Sequence, residues 1–395
     1  MRECPSLLML GDVPVESTCH GSALLYRLFE GYRPDKILIL ESSIAESQAT
    51  RRLTGVAYRR LSAGRRRILN SRFHSGYSAA LALLARSRAS QIHGLLDGFC
   101  PDAVITVAHG FHWLAAAAFA EAEGLPLHMI CHDDLPRVGA VPKVMERWFE
   151  DEFSRVYRQA ASRHCVSPWM RDEYLARYGV EGTVLYPSRS AGVGEFAGPG
   201  EATMRDRGPL TVAFAGSVNS SGYADALRLL AEVLSTSGDR LLIYGPLTAA
   251  QARAVGLVGP NIQLMGMLES SVLIQRLRSE VDVLFVPMSF EPGEAANMRL
   301  GFPSKLTDYT AAGLPLLMFG PEDCSAVRWA RGESGVGEVV DRNESMALAH
   351  SLERLRDVQW RSALARRALE VGARLFDHRG VASNFFSKVC ADRTK

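Results

Sequence analysis

Long apolar runs are missing from this sequence of 395 residues, and none approaches the roughly 20 residues that a membrane-spanning helix needs. The longest candidate, residues 113–120, is a short alanine-rich segment. The apolar run near the start is equally short and soon meets Gly11, Asp12 and Pro14, which predicts a β-strand and loop rather than a signal peptide. We therefore expect a soluble, cytoplasmic protein.

Paired cysteines are also missing. The seven cysteines contain no CxxC pair and lie at Cys4, Cys19, Cys100, Cys131, Cys165, Cys324 and Cys390. This scatter argues against a zinc knuckle and against a disulfide framework, and it is typical of a reducing compartment. The net charge of +2 is too close to neutral to indicate a nucleic-acid or membrane partner by itself.

Acidic residues are absent between Glu46 and Asp97, and ten arginines fall in that gap. They are Arg51, Arg52, Arg59, Arg60, Arg65, Arg66, Arg67, Arg72, Arg86 and Arg88. Apolar residues are interleaved with them. The stretch is compatible with a solvated helical surface, with peripheral contact to anionic lipid, or with binding of a polyanion such as nucleic acid.

Short apolar runs alternate with helical patterns along the chain, which predicts βαβ units and parallel sheets covered by helices. In the first half, strands are expected at 6–10, 36–40, 103–107, 127–130, 163–166 and 183–185, and helices at 22–30, 78–96, 115–123, 144–161 and 168–178. In the second half, strands are expected at 210–215, 240–244, 262–265, 283–286 and 316–319, with helices at 224–235, 272–279 and 304–312.

Domain boundaries follow from composition. The segment 187–209 is rich in Gly, Pro, Ser and charge, and suits no packed element. We expect an N-terminal Rossmann-like domain at 1–190, a linker at 191–208, a second domain of the same kind at 209–375 and a C-terminal helix at 376–395 that crosses back to the first domain. Two doubly wound domains place ligands at the carboxyl ends of their strands, in a cleft.

The stretch 282–320, DVLFVPMSFEPGEAANMRLGFPSKLTDYTAAGLPLLMFG, is the most informative. An apolar strand ends at Pro287, a polar loop follows, and a helix begins near Ser304, a plausible N-cap. Free amides of that helix beside Lys305 would form a site for a diphosphate. One turn further, Asp308 could accept hydrogen bonds from ribose hydroxyls.

This stretch resembles the C-terminal domain of the GT4-like glycosyltransferases, which have the GT-B fold of two Rossmann-like domains. The matching residues are Pro303, Ser304, Lys305, Leu306, Tyr309, Ala311, Gly313 and Pro315. The resemblance implies donor binding by Gly216, Ser217, Ser304, Lys305, Leu306 and Asp308. It extends to the segments 212–216, 242–245, 261–277, 162–175 and 184–187.

Two departures from the family pattern concern the donor. No basic residue lies between Gly216 and Asp225, so amides around 217–222 would do part of the work of gripping the diphosphate. The family's paired acids lie eight residues apart, and Leu300 stands at the first position. Glu291 and Glu294 are near but out of register.

Candidate groups in the first domain lie in loops that follow predicted strands. His20 and Gly21 precede a helix, and the resemblance places Gly21 on the acceptor side. His109 and His112 follow the strand at 103–107, where an imidazole can relay a proton near neutral pH. We take His109 and Asp133 as catalytic candidates, and His20, Gly21 and His112 as acceptor-side candidates.

A metal site built from Cys131, His132, Asp133 and Asp134 is not favoured, because neighbours on an extended chain point in different directions. We expect no metal and no cofactor, with a nucleoside diphosphate sugar, preferably a UDP-sugar, as donor substrate.

The predicted function is transfer of a hexose-type sugar from that donor to a hydroxyl, with retention and without metal. The acceptor stays open between a lipid-linked glycan, a saccharide, a small molecule and a polyanion. A sugar-nucleotide epimerase and a non-catalytic nucleotide-sugar-binding protein are the alternatives.

Overall fold

The computed structural model describes residues 4–17, 20–69, 71–139, 141–206 and 208–391, without the side chains of His20 and Arg66. It divides into two compact units. Unit 1 comprises Met1–Tyr186 and Arg379–Lys395, and unit 2 comprises Pro187–His378.

Unit 1 contains a parallel sheet of seven strands in the order β3-β2-β1-β4-β5-β6-β7, counted over the described residues. The strands are β1 (Leu7–Gly11), β2 (Ile37–Ser42), β3 (Ala57–Leu61), β4 (Ala103–Val107), β5 (Leu127–Cys131), β6 (Ser162–Cys165) and β7 (Thr183–Val184). The helices are α1 (His20–Phe29), α2 (Arg66–Leu69), α3 (His74–Ala85), α4 (Ala89–Leu96), α5 (His112–Glu123), α6 (Leu135–Val138), α7 (Glu146–Gln159) and α8 (Pro168–Tyr178).

Unit 2 contains a parallel sheet of six strands in the order β10-β9-β8-β11-β12-β13, again over the described residues. The strands are β8 (Thr211–Ala215), β9 (Arg240–Tyr244), β10 (Ile262–Gly266), β11 (Val283–Pro287), β12 (Leu316–Phe319) and β13 (Gly337–Val340). The helices are α9 (Ser221–Thr236), α10 (Ala249–Ala254), α11 (Ser270–Glu280), α12 (Ala295–Leu300), α13 (Lys305–Ala312), α14 (Ser325–Gly332), α15 (Ser345–Arg354) and α16 (Val358–Phe376).

The central strands are buried on both faces, as strands covered by helices on two sides must be. All residues of β1, β4, β8 and β11 are buried. In both sheets the first strand lies at the centre and the order reverses there, which is the topology that exposes loops at the strand carboxyl ends for ligands. These sheets confirm the predicted fold class of two doubly wound α/β domains.

The last helix, α17 (His378–Ala391), packs in the core of unit 1. Phe385 is buried there against Phe29, at a ring-centroid distance of 6.4 Å. Phe386 stacks on Tyr32 with ring centroids 4.7 Å apart. The chain therefore returns to its first unit after completing the second.

The glycine- and proline-rich segment before β8 differs from the expected linker, because it packs on unit 2. Ala202 and Thr203 are fully buried, and Gly200 N donates to Gly313 O at 2.9 Å. The Arg278 guanidinium donates to the carbonyls of Gly198 and Pro199. Side-chain donors satisfy backbone carbonyls that would otherwise need water, so a segment of poor propensity becomes ordered.

Other differences lie where the periodicity was weak. The expected helix at 78–96 is divided between α3 and α4 by a turn at Arg86–Arg88, and the basic stretch contains the strand β3. The sequence pattern did not predict four elements of unit 2, namely α14, β13, α15 and α16. No helix in the described part of the chain is both long and apolar enough to cross a membrane.

Candidate active site

The loop after β1 brings Asp12 to the start of α5. Its Oδ2 accepts hydrogen bonds from the backbone amides of Phe111 and His112 at 2.7 and 2.8 Å. Its Oδ1 lies 2.5 Å from His112 Nδ1. Although burial raises the pKa of Asp12, the charge and hydrogen bonds of His112 outweigh it and lower the pKa to about 2. Asp12 therefore acts as the anionic cap of α5.

Gly110 makes this contact sterically possible. Its φ of +54° is left-handed, and a Cβ at this position would lie 2.3 Å from Asp12 Oδ2. His112 itself is 1% exposed, and its Nε2 has no hydrogen-bond partner among the described residues. His112 is therefore buried in the turn between β4 and α5. The sequence analysis placed it on the acceptor side, and contact with an acceptor stays a prediction.

The loops after β4 and β5 bring two imidazoles and a carboxylate together. His132 Nε2 lies 3.3 Å from Asp133 Oδ2, and His109 Nδ1 lies 3.9 Å from the same oxygen. The rings of His109 and His132 are 5.5 Å apart. Gly21 lies at the start of α1, where a Cβ would come within 3.3 Å of His132 Cε1. The side chain of the other candidate in that loop, His20, lies outside the described part of the chain.

His109 is suited to accept a proton near neutral pH. Desolvation lowers its pKa, the neighbouring His132 lowers it further, and the charges of Asp133 and Asp12 oppose this effect. The side chain is nevertheless 48% exposed, so solvent and a ligand can reach it. Its catalytic role stays a prediction, with the geometry of a relay to Asp133.

The same three groups could also hold a metal ion, because the donor atoms of His109, His132 and Asp133 lie within 4.8 Å of one another. This grouping differs from the expectation that neighbours in the MICHDD segment diverge. The chain turns after β5, so His132 and Asp133 converge, whereas Asp134 points inward to a salt bridge of 2.9 Å with Arg177. The closeness of these groups does not test whether the protein uses a metal, so the expectation of no metal stays a prediction.

In unit 2, Lys305 lies in an apolar setting. Its Nζ lies 4.6 Å from the ring centroid of Phe214 and 5.0 Å from that of Tyr223. Desolvation lowers the pKa of Lys305 to about 7. Within the part of the chain that the structure describes, no carboxylate forms an ion pair with this ammonium. Such a cation is poised for an anionic ligand, since an anion would restore the charge that burial disfavours.

The turns after β8 and β9 pack closely against each other near Lys305. Gly245 has φ +144°, and a Cβ there would lie 2.2 Å from the Gly216 carbonyl oxygen. A Cβ at Gly216 would lie 3.5 Å from Lys305 Cε. The structure therefore brings together Gly216 and Lys305, two residues of the predicted donor site.

Tyr309 fixes the position of α13 relative to β8. Its buried hydroxyl accepts a hydrogen bond from Ala215 N at 2.6 Å. Because Lys305 lies one turn earlier on α13, this bond sets where the ammonium meets the end of β8. Tyr309 was identified in the sequence as a matching residue, but its positioning role depends on a contact between residues 94 positions apart.

At the start of α13, two backbone amides that the sequence analysis expected to be free have acceptors. Leu306 N donates to Pro303 O at 3.0 Å, and Thr307 N donates to Ser304 O at 3.2 Å. Ser304 occupies the N-cap position without a side-chain cap hydrogen bond. Tight i to i+3 bonds therefore satisfy amides that the sequence suggested for a diphosphate. Leu306 is fully buried, so its side chain supports α13 from the core.

The start of α9 is the more open helix terminus. Among the described residues, no acceptor is found for the amides of Gly222 and Tyr223, and Ser220 makes no side-chain cap. Tyr223 also borders Lys305. The amides and the helix dipole of α9 lie beside Lys305 at the carboxyl end of β8, an arrangement that suits an anion; binding of one stays a prediction.

Two further carboxylates face this region of unit 2. Asp308 lies one turn after Lys305. Burial lowers the pKa of Arg189, and the negative charge of Asp308 is one of those that raise it again. Glu294 accepts a hydrogen bond from Ser220 Oγ at 3.1 Å. Leu300, at the position of the missing acid, is buried in α12, and Glu294 six residues earlier reaches the N-cap residue of α9.

Solved structures with the same fold were found by comparison. HepE of Anabaena, solved with UDP and glucose, is 14% identical, with a TM-score of 0.68 over 98% of this chain and 100% of that chain. Sucrose-phosphate synthase of Thermosynechococcus elongatus has the same identity, coverage and TM-score. Trehalose 6-phosphate synthase of Burkholderia multivorans is 13% identical, with a TM-score of 0.66 over 98% of this chain and 99% of that chain. No curated protein matches the chain.

A family model also matches part of the chain. The two-domain fold is the one that these glycosyltransferases of the GT-B architecture share. Residues 50–188 match the family described as Glycosyltransferase Family 4. The predicted resemblance to GT4-like enzymes is confirmed, although the matched segment lies in unit 1 and the motif around Lys305 lies in unit 2.

The Asp12 cap gives a testable contribution to stability. We expect Asp12→Asn to lower the free energy of unfolding by about 2 kcal/mol at neutral pH, because the carboxylate loses its interactions with His112 and two amides. The folded-state pKa of Asp12, about 2, is below its ordinary value of 3.8. The difference between variant and wild type should therefore be full above the ordinary value and shrink as the pH falls through it.

Urea unfolding at several pH values measures this difference. Asp35→Asn is the matched control, since Asp35 is exposed and pairs only with the neighbouring Arg33. Equal loss in both variants, or no loss in Asp12→Asn, would contradict the assignment of Asp12 as the cap of α5.

Proposed function

We propose that this protein transfers a hexose-type sugar from a nucleoside diphosphate sugar to an acceptor hydroxyl, with retention and without a metal ion. The observation that carries the proposal is the desolvated Lys305 ammonium beside the open first turn of α9. Amides and a cation at one corner suit the two phosphates of such a donor.

The same groups suit the reaction. The bond between the anomeric carbon and the phosphate oxygen breaks, and its electron pair leaves on the diphosphate. Lys305 and the α9 amides stabilise that developing charge, which is the main electrostatic task in this type of transfer. The acceptor oxygen forms the new bond, and its proton must pass to a base or to the leaving diphosphate.

Acidic groups in unit 2 complete the donor site. We propose that Asp308 accepts hydrogen bonds from the ribose, and that Glu294, held by Ser220, accepts hydrogen bonds from hydroxyls of the transferred sugar. A UDP-sugar is the favoured donor. Support comes from HepE, which was solved with UDP and with UDP-glucose and shares the fold of this chain.

Unit 1 supplies the groups proposed for the acceptor side. His109 has a lowered pKa and a neighbouring carboxylate, Asp133, so it is neutral and able to handle a proton at pH 7. Retention follows from the family resemblance. A direct role of His109 or Asp133 as the base for the acceptor would instead give inversion, and the anomeric configuration of the product decides between them.

The acceptor class remains a choice among a lipid-linked glycan, a saccharide, a small molecule and a polyanion. We favour a lipid-linked glycan and a cytoplasmic location at the inner membrane surface, because the basic stretch between Arg51 and Arg88 offers a reason for contact with anionic lipid.

The proposed role of Lys305 in donor binding can be tested by substitution. We expect Lys305→Ala to weaken binding of a UDP-sugar at least tenfold at pH 7 without loss of the fold, because it removes the cation beside the phosphates. Since the free-state pKa of Lys305 is about 7, affinity should be full below pH 7 and fall as the pH rises above it. A UDP-sugar has no phosphate that titrates in this range, so the slope reports the lysine.

Isothermal titration calorimetry between pH 6 and 9 makes the measurement. Lys36→Ala is the control, since Lys36 lies in a turn of unit 1. Unchanged affinity in Lys305→Ala, or wild-type affinity that does not depend on pH, would remove Lys305 from the donor site.

A reaction assay separates the possible functions. We expect incubation with UDP-sugars alone to leave the sugar configuration unchanged, with UDP released only slowly by hydrolysis, and an acceptor to accelerate release. NMR of the sugar ring detects both events. Conversion of the sugar to its epimer without acceptor would establish an epimerase, whereas binding without any turnover across an acceptor panel would favour a non-catalytic protein.

Metal independence has its own test. We expect sugar transfer to continue after treatment with EDTA, because Lys305 and backbone amides provide the positive charge that a metal would otherwise supply. Added Zn²⁺ should inhibit by occupying His109, His132 and Asp133. Loss of activity on chelation, with recovery on addition of a divalent ion, would contradict the proposal.

A further inference from the structure

Helix α3 of unit 1 is apolar on two opposite faces. One face, with Ser78, Leu81, Ala82 and Ala85, is buried against the rest of the unit. No residue of the helix carries a carboxylate or a Lys or Arg side chain. A helix that is apolar all round is normally covered on all sides, so the second face of α3 needs an explanation.

The second face is exposed to solvent. The helical spacing places three residues on this face: Phe73, which lies just before the helix, Ala80 and Leu84. Leu83 lies beside them. The exposed fractions are 62% for Phe73, 60% for Leu83 and 56% for Leu84. Three large apolar side chains with more than half of their surface in water form a patch of the kind that marks an interaction site.

Arginines near this patch differ from the others of the basic stretch. Arg52, Arg59, Arg60 and Arg86 pair with Glu41, Asp97, Glu46 and Glu152, respectively. Arg88 is buried and donates to Leu81 O. Each of these residues has a structural partner, so the ten arginines are not one uniform charged surface.

Of the other five arginines, Arg51 is half-buried and the side chain of Arg66 lies outside the described part of the chain, which leaves three that are exposed: Arg65, Arg67 and Arg72. Among the described residues, none of the three forms an ion pair. Arg65 is linked to α3 because its amide donates to Tyr77 Oη at 2.7 Å, and the Arg72 guanidinium lies 4.9 Å from the ring centroid of Phe73. Cationic and apolar side chains therefore share one region around α2 and α3.

We propose that this region, the α3 surface (Arg65, Arg67, Arg72, Phe73, Leu83 and Leu84), binds the surface of an anionic lipid bilayer. Phe73, Leu83 and Leu84 enter the boundary between headgroups and acyl chains, and the arginines contact lipid phosphates. Interfacial helices combine apolar burial with electrostatic attraction in this way. The proposal narrows the peripheral contact suggested above to particular residues, and it does not depend on the sugar-transfer reaction.

Charge and apolarity together select a membrane over other occupants. A second copy of the chain would bring Arg65, Arg67 and Arg72 towards the same three arginines of its partner, and like charges repel. A nucleic acid would use the arginines and could stack a base on Phe73, but it gives no reason for the exposed aliphatic side chains of Leu83 and Leu84. Contact is peripheral, because α3 has only 12 residues.

The test is co-sedimentation of the full chain with vesicles of phosphatidylcholine, with and without phosphatidylglycerol. We expect binding only to the anionic vesicles, weakened by salt. Arg67→Gln with Arg72→Gln should weaken binding by about fivefold for each charge. Phe73→Ser with Leu84→Ser should weaken it at least tenfold. These exposed sites leave the fold intact, and an unchanged circular-dichroism spectrum and melting temperature confirm this for each variant.

Matched controls come from the same unit. Arg60→Gln removes an arginine that pairs with Glu46, and Leu175→Ser removes an apolar side chain that is 42% exposed on α8. Both should bind vesicles like the wild type. The proposal is overturned if anionic vesicles are not bound, if the control variants lose binding as much as the α3 variants, or if Phe73→Ser with Leu84→Ser converts a dimer to a monomer without affecting vesicle binding.

Discussion

The ammonium of Lys305 lies between the rings of Phe214 and Tyr223, and burial brings its pKa down to about 7. Such a position costs free energy in the absence of an anion, and the fold maintains it through several independent contacts. Tyr309 ties α13 to the end of β8, and Gly245 allows the turn after β9 to pack against Gly216, which lies next to Lys305. An uncompensated cation held this firmly is best explained by a ligand that supplies the negative charge.

The corresponding anchor in unit 1 carries the opposite charge. Asp12, after the first strand, holds the amides at the start of α5 and the ring of His112. This fixes the loop that presents His109, so the exposed imidazole stands on a rigid support. In each unit, a side chain close to the carboxyl end of a central strand is fixed by contacts between residues that are far apart in the sequence. This is expected for a doubly wound sheet, because the loops after its strands lie along the same edge.

Much of the fold could be predicted from the sequence, since the buried strands of both sheets read as short apolar runs. The run at 57–61 could not, because β3 lies at the sheet edge and carries two arginines. A local motif predicted the helix that carries Lys305 and Asp308, and α13 confirms that helix; their roles in binding a donor stay predictions. Contacts across the chain left no such signal: Asp12 meets His112 over 100 positions, and Glu294 meets Ser220 over 74. At the start of α13, local i to i+3 bonds satisfy the amides of Leu306 and Thr307, and the start of α9 is a second terminus with amides that have no acceptor among the described residues.

The central claim is that unit 2 binds a nucleoside diphosphate at Lys305 and the start of α9. The most direct measurement is the melting temperature of the chain with a panel of nucleoside diphosphates and their sugar conjugates, because a ligand that binds only the native state raises it. We predict a concentration-dependent rise with one base, UDP above the others, and a smaller effect of the nucleoside monophosphate. No rise with any member of the panel, or equal rises with mono- and diphosphates, would contradict the claim.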